Sequence, residues 1–102
     1  MEYFFGDKEL IKLYCSGESR KLKLPRGVAV KFVERVNRIE AADTINDLRI
    51  PPSMRFEKLE GRKDTFSLRL TKEYRLEILI DFQDQEKLKG IVTIMKISKH
   101  YE

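Results

Sequence analysis

Residues 65–71, TFSLRLT, and 73–82, EYRLEILIDF, alternate apolar and polar side chains, and this alternation limits the possible folds more than any other feature of the chain. A strand sends successive side chains to opposite faces, so a sustained period of two means a sheet covered on one side only. Phe66, Leu68 and Leu70 share one face of the first stretch, and Tyr74, Leu76, Ile78, Ile80 and Phe82 share one face of the second. Being so close in sequence, the two are expected to pair antiparallel. SMRFEKLEG before them and GIVTIMKIS after them read as further strands, the last reached through the charged turn QDQEKLKG. Met54 and Met95 fall within strand-like runs and are expected in the core.

The apolar face needs a cover, and the first half of the chain supplies one. MEYFFG reads as a short opening strand ended by Gly6. DKELIKLYCSG reads as a helix capped by Asp7 and stopped by Gly17, with Leu10, Ile11 and Tyr14 on one face. After the solvated connection ESRKLKL, Ala29, Phe32, Val33, Val36 and Ile39 recur at helical spacing behind Pro25, which marks the main helix. DTINDL has capping-box spacing between Thr44 and Asp47, and RIPPS forces an extended path. The expected architecture is α+β in two layers, with N-terminal helices packed on an antiparallel sheet, in one domain over 1–102.

Composition fits this picture and excludes several others. With 41% hydrophobic and 37% charged residues, the chain can form a core under a heavily solvated exterior. A domain of this length buries only about 60–65% of its unfolded surface, so a thin two-layer core is the natural outcome. No apolar run approaches the roughly 20 residues of a membrane span, and the N-terminus lacks the pattern of a signal peptide. One cysteine, Cys15, excludes an internal disulfide and is expected to be a packing or surface thiol in a reducing cytoplasm. One histidine and one cysteine far apart offer no metal-ligand spacing, and the absence of a Gly-rich phosphate loop argues against a nucleotide cofactor, so no metal and no cofactor are expected. The net charge of +4 suits a nucleic-acid or acidic protein partner.

The other face of the sheet carries the candidate chemistry. Ser67, Arg69, Arg75 and Glu77 must share it if the apolar residues face the helices. The plain reading pairs Arg75 with Glu77, Glu57 or Glu60 across strands, at about 0–1 kcal/mol. The sharper one concerns RNA. Cleaving a phosphodiester without a metal requires help in removing the 2′-hydroxyl proton, stabilising charge on the phosphoryl oxygens and protonating the leaving 5′-oxygen. Arginine can hold phosphate oxygens bidentately, histidine can carry protons near neutral pH, and tyrosine can stack an unpaired base. The chain ends KISKHYE, with its single histidine, His100, beside Tyr101. A last strand ending there could bring both rings to the edge that holds Arg69 and Arg75.

DLRIPPSMRFEKLEG, TFSLRLTKEYRLEILIDF and MKISKHYE together resemble the HigB-type toxins of bacterial toxin–antitoxin systems, within the RelE/ParE superfamily. The resemblance spans roughly residues 43–102, and EYRLEI and the terminal His-Tyr are its more specific parts. It implies a small antiparallel sheet with N-terminal helices and a metal-independent endoribonuclease that cuts messenger RNA in the ribosomal A site. It also implies a cytoplasmic protein held inactive by a HigA-like helix-turn-helix antitoxin, with no membrane contact and no direct DNA contact except through that antitoxin. Carried onto this chain, Arg69 and Arg75 clamp the scissile phosphate, and His100 and Tyr101 supply proton transfer or base stacking. Lys58, Arg62, Lys63 and Lys99 become electrostatic contacts to RNA. Many relatives end with tyrosine before histidine, and the order here is reversed, so those two roles can be exchanged. Two other functions fit the same scaffold: a non-enzymatic inhibitor of DNA gyrase like the ParE branch, and an inactive module that binds RNA or an antitoxin.

Overall fold

The computed structural model describes residues 1–99, and the expected positions of His100 and Tyr101 lie outside them. The chain forms β1 (Tyr3–Phe5), α1 (Lys8–Ser16), α2 (Arg26–Ala41), two short 3-10 turns (Ile45–Arg49 and Pro52–Met54), β2 (Glu57–Lys58), β3 (Thr65–Arg69), β4 (Tyr74–Phe82) and β5 (Gly90–Lys99). The five strands make one sheet in the order β1-β5-β4-β3-β2. Pairing is antiparallel from β2 to β5, as the alternation implied, but β1 joins the edge parallel to β5. The expected antiparallel sheet is therefore a mixed one. A parallel pair needs a crossover between its strands, and here nearly the whole chain supplies it.

The helix signals act as read. Asp7 accepts from the Glu9 amide at 2.8 Å, and Gly17 ends α1 in the left-handed region at φ 78°. Such a conformation costs glycine nothing, because it has no Cβ. Thr44 and Asp47 close a capping box, and the Asp43 and Thr44 amides donate to the Asp47 carboxylate, holding it below its usual range. α2 buries Val28, Ala29, Phe32, Val36 and Ile39 against a core that includes Leu68, Leu76, Ile78, Ile80, Val92 and Ile94. Phe5 ties β1 to α2, its ring centroid 6.3 Å from that of Phe32.

Four local expectations change. α1 turns Leu10 and Leu13 inward, which leaves Ile11 45% exposed. Pro52 opens a 3-10 turn in place of a longer extended path, and that turn ends with Arg55 in the left-handed region, so the strand expected over SMRFEKLEG shrinks to Glu57–Lys58. Met54 is buried in that turn rather than in a strand. Met95 is 38% exposed, because alternation after the inward Ile94 sends it to the open face; the register of β5 against β4 also slips there, for Ile94 faces Ile78, yet Lys96 faces Glu77. The extra residue is a β-bulge, and it reverses which side chains point inward beyond it. Ile97 then faces Leu76 on the covered side, while Lys96 and Ser98 join the open face.

Candidate active site

The hairpin between β3 and β4 builds the centre of the open face. The Leu70 and Thr71 amides both donate to the Tyr74 carbonyl, at 2.9 and 3.2 Å, which closes the turn and sets Arg69 directly opposite Arg75. Ser98 of β5 lies opposite Arg75 on its other side, so Arg69, Arg75 and Ser98 form one row across three strands. The next row is Glu57, Ser67, Glu77 and Lys96, and beyond it come Thr65, Leu79, Thr93 and the exposed Phe4. The face thus grades from basic through ion-paired to apolar, away from the hairpin.

Like charges directly opposite each other on a sheet are destabilising, so the Arg69–Arg75 pair is not a product of folding economy. Both residues are held in place, Arg69 from the helical side and Arg75 by neighbours on the open face. Arg35, buried on α2, donates from Nε to the Arg69 carbonyl at 2.9 Å and from Nη1 to Glu34 at 2.8 Å. Its burial lowers the guanidinium pKa, against the opposing pull of Glu34. Arg75, with its side chain 20% exposed, donates from Nη1 to the buried Ser67 hydroxyl at 3.4 Å, and its Nη2 lies 3.8 Å from the Glu57 carboxylate. Of the three acidic partners expected for Arg75, Glu57 is found at ion-pair distance. This places a carboxylate beside the Arg75 guanidinium. Sequence reasoning misses Arg35, although a charged residue three positions after Phe32, on the buried stripe of α2, marks a group with a structural task.

Glu77 has a different partner. Arg62, from the turn before β3, reaches over the face and donates to it at 2.6 Å. Burial pushes the Glu77 carboxyl up, but the Arg62 and Ser98 hydrogen bonds and the charges of Lys96 and Arg62 outweigh it and hold it below its usual range. Arg62 is therefore engaged in fixing its own turn across the sheet. Lys63 is exposed in the same turn, its carbonyl accepting from the Thr65 hydroxyl at 3.0 Å. Lys58 is exposed on β2 in register with Phe66, which puts it on the covered side of the sheet's edge rather than with Arg75. Lys99 ends the described part of β5 opposite Tyr74, its Nζ 5.9 Å from that ring and 4.0 Å from Glu73. β5 thus reaches the hairpin end, where Arg69 and Arg75 sit. Among the described residues, no three His, Cys, Asp or Glu side chains gather as a metal site would need. Cys15 is an exposed thiol on α1.

Comparison with known proteins agrees with this layout. The structure is similar to a YoeB/ParE toxin from Agrobacterium tumefaciens, covering 99% of this chain and 100% of that one at a TM-score of 0.57; at 12% identity the likeness is one of fold. The class that the fold defines is that of small α+β domains with helices packed on one face of a sheet. The sequence model of HigB-like toxins, described as the RelE-like toxin HigB of type II toxin–antitoxin systems, matches residues 3–93, and the chain belongs to that family. It is 38% identical over 73 residues to Toxin HigB-1 of Vibrio cholerae serotype O1, covering 71% of this chain and 76% of that protein. An uncharacterized protein of Haemophilus influenzae is 33% identical over 73 residues, covering 71% of each chain. The family match includes Arg69 and Arg75 and stops before Lys99, His100 and Tyr101.

Proposed function

We propose that this toxin is a metal-independent, ribosome-dependent endoribonuclease that cuts messenger RNA and so inhibits translation in the cytoplasm. The observation that carries the reading is the opposition of Arg69 and Arg75 on the sheet face turned away from α1 and α2. Two adjacent guanidinium groups match the equatorial oxygens of a phosphodiester, where negative charge grows in the transition state. In the reaction the 2′-oxygen attacks phosphorus as a base removes its proton, and the bond to the 5′-oxygen breaks as an acid protonates it. The products are a 2′,3′-cyclic phosphate and a free 5′-hydroxyl. His100 and Tyr101 take the proton-transfer and stacking roles, with Glu57 as an additional proton acceptor. Lys63 and Lys99 steer the RNA strand, and Arg62 and Lys58 contribute from the rim. The partners are the ribosome, its messenger and a HigA-like helix-turn-helix antitoxin, through which alone the toxin meets DNA.

The test is to express the protein with and without its antitoxin and map breaks in a translated messenger. Expected are growth arrest and codon-registered cuts whose upstream fragments end in a 2′,3′-cyclic phosphate, and which vanish with Arg75→Ala or His100→Ala. Arrest with intact messengers sinks the reading, and DNA damage without RNA cutting points to gyrase.

A further inference from the structure

The positive charge of this protein is not spread over it. Residues 17–31 hold five basic side chains, Arg20, Lys21, Lys23, Arg26 and Lys31, against the single acid Glu18, a net +4. The whole chain has 21 basic and 17 acidic residues, so the remaining 16 and 16 cancel. All of the net charge lies on the connection between α1 and α2 and the first turns of α2. Part of that stretch lines a groove of about 880 Å³ in the helical layer, where Leu13, Ala29, Val30 and Val33 meet Arg20, Arg26 and the one acid Glu18. Val30 is 60% exposed, an aliphatic side chain left in water on a helix whose other apolar residues are mostly buried. The arginine row is on the opposite face of the sheet, since Arg75 alternates with the core residue Leu76.

We propose that this groove is the docking site of the antitoxin, and that it takes an acidic amphipathic helical segment of that partner. The proposal rests on the partner reading above and not on RNA cleavage. A trough with apolar walls and two arginines against one acid on its lining, set in a stretch of net +4, is the complement of a helix with one aliphatic stripe and carboxylates along its borders. A nucleic-acid backbone would use the cations but would gain nothing from Val30 and Val33, so the mixed lining favours protein. The local charge excess would draw the acidic segment in, and the apolar walls would hold it. Because the groove and the arginine row are on different sides of the sheet, docking there need not cover the row, and the two surfaces are separable by mutation.

The experiment uses the full-length chain carrying Arg75→Ala, to permit expression, and the purified antitoxin encoded beside it. Affinities for that antitoxin and for vacant ribosomes are measured for Val30→Asp and for the double reversal Arg20→Glu with Arg26→Glu. These positions are on the surface, and a thermal melt confirms that each variant is folded. Both variants are expected to bind antitoxin at least about tenfold more weakly, with ribosome affinity changed less than about twofold. Amide exchange in the wild-type complex should show protection over residues 13–33. Antitoxin binding within twofold of wild type in both variants overturns the proposal, as does failure of the wild-type chain to bind antitoxin. Loss with Val30→Asp alone overturns the acidic chemistry assigned to the segment. Lost ribosome affinity with antitoxin binding intact makes the groove an RNA surface instead. If the groove variants lose antitoxin while the unmutated toxin cuts no messenger, the nuclease reading fails and the docking site stands.

Discussion

The two faces of this sheet are made by the same strands and follow different rules. On the covered face, Leu68, Leu76, Ile78, Ile80, Val92 and Ile94 are fully buried, and apolar area removed from water explains every one. On the open face, Ser67 and Glu77 are also buried, yet they lie beneath polar neighbours, where Arg62 reaches across and Arg75 donates to Ser67. Burial there comes from ion pairs and a folded-over turn, not from helices. An uncovered sheet face, then, need not be a solvated one. It can be a shallow, charge-ordered bed, and the Arg69–Arg75 opposition within it is an arrangement that stability does not call for.

The contrast breaks first at Ile78. Ile78→Ala on the covered face should lower unfolding free energy by about 2–5 kcal/mol in a denaturant titration, because the cavity cannot be refilled by its packed neighbours. Arg75→Ala on the other face should do the reverse of this: cleavage falls roughly 100- to 1,000-fold, as for loss of one transition-state donor, while stability changes by no more than about 1 kcal/mol. If both variants lose stability equally, the division between a structural face and a chemical face is wrong.

Smaller effects sharpen the same division. Glu77→Gln removes the charged partner of Arg62 and should cost about 1–2 kcal/mol, with the 59–64 turn gaining amide exchange. The pH dependence has a definite sign. The Glu77 carboxyl titrates lower in the folded protein than in the unfolded chain, so its stabilisation is present above the ordinary glutamate value of 4.5 and is lost as the pH falls through the depressed folded value. The acid limb of the stability curve should therefore flatten in Glu77→Gln. Lys58→Ala, on the far side of the edge, should have the smallest effect: a loss of cleavage within about threefold, mainly through a shallower salt dependence. A loss as large as that of Arg75→Ala would mean that RNA wraps around the edge of the sheet.

Much of the fold is legible from residues alone, and the reasons are local. Asp7, Gly17, Pro25 and the Thr44–Asp47 box act within a few positions of themselves, and the alternation in β3 and β4 forces the identity of the covered face. The site is legible where it depends on that alternation, which puts Arg69, Arg75, Ser67 and Glu77 together. It is not legible where a partner comes from elsewhere. The choice of Glu57 for Arg75 and of Arg62 for Glu77 depends on how a turn folds over a sheet, and the support of Arg69 by Arg35 depends on where α2 crosses β3.

By itself, the sequence determined the order of the main elements, the inward set of each hairpin strand and the placing of two arginines on one face of neighbouring strands, because periodicity, caps and short connections act over a few residues. Tertiary structure alone decided that β1 lies parallel to β5 and that a bulge at Met95 turns Lys96 and Ser98 toward the arginines. It also decided that the basic connection before α2 closes an apolar groove. Each of these depends on contacts between segments distant in the chain, where the winning arrangement is set by packing the whole core at once and leaves no signature in any one stretch of residues.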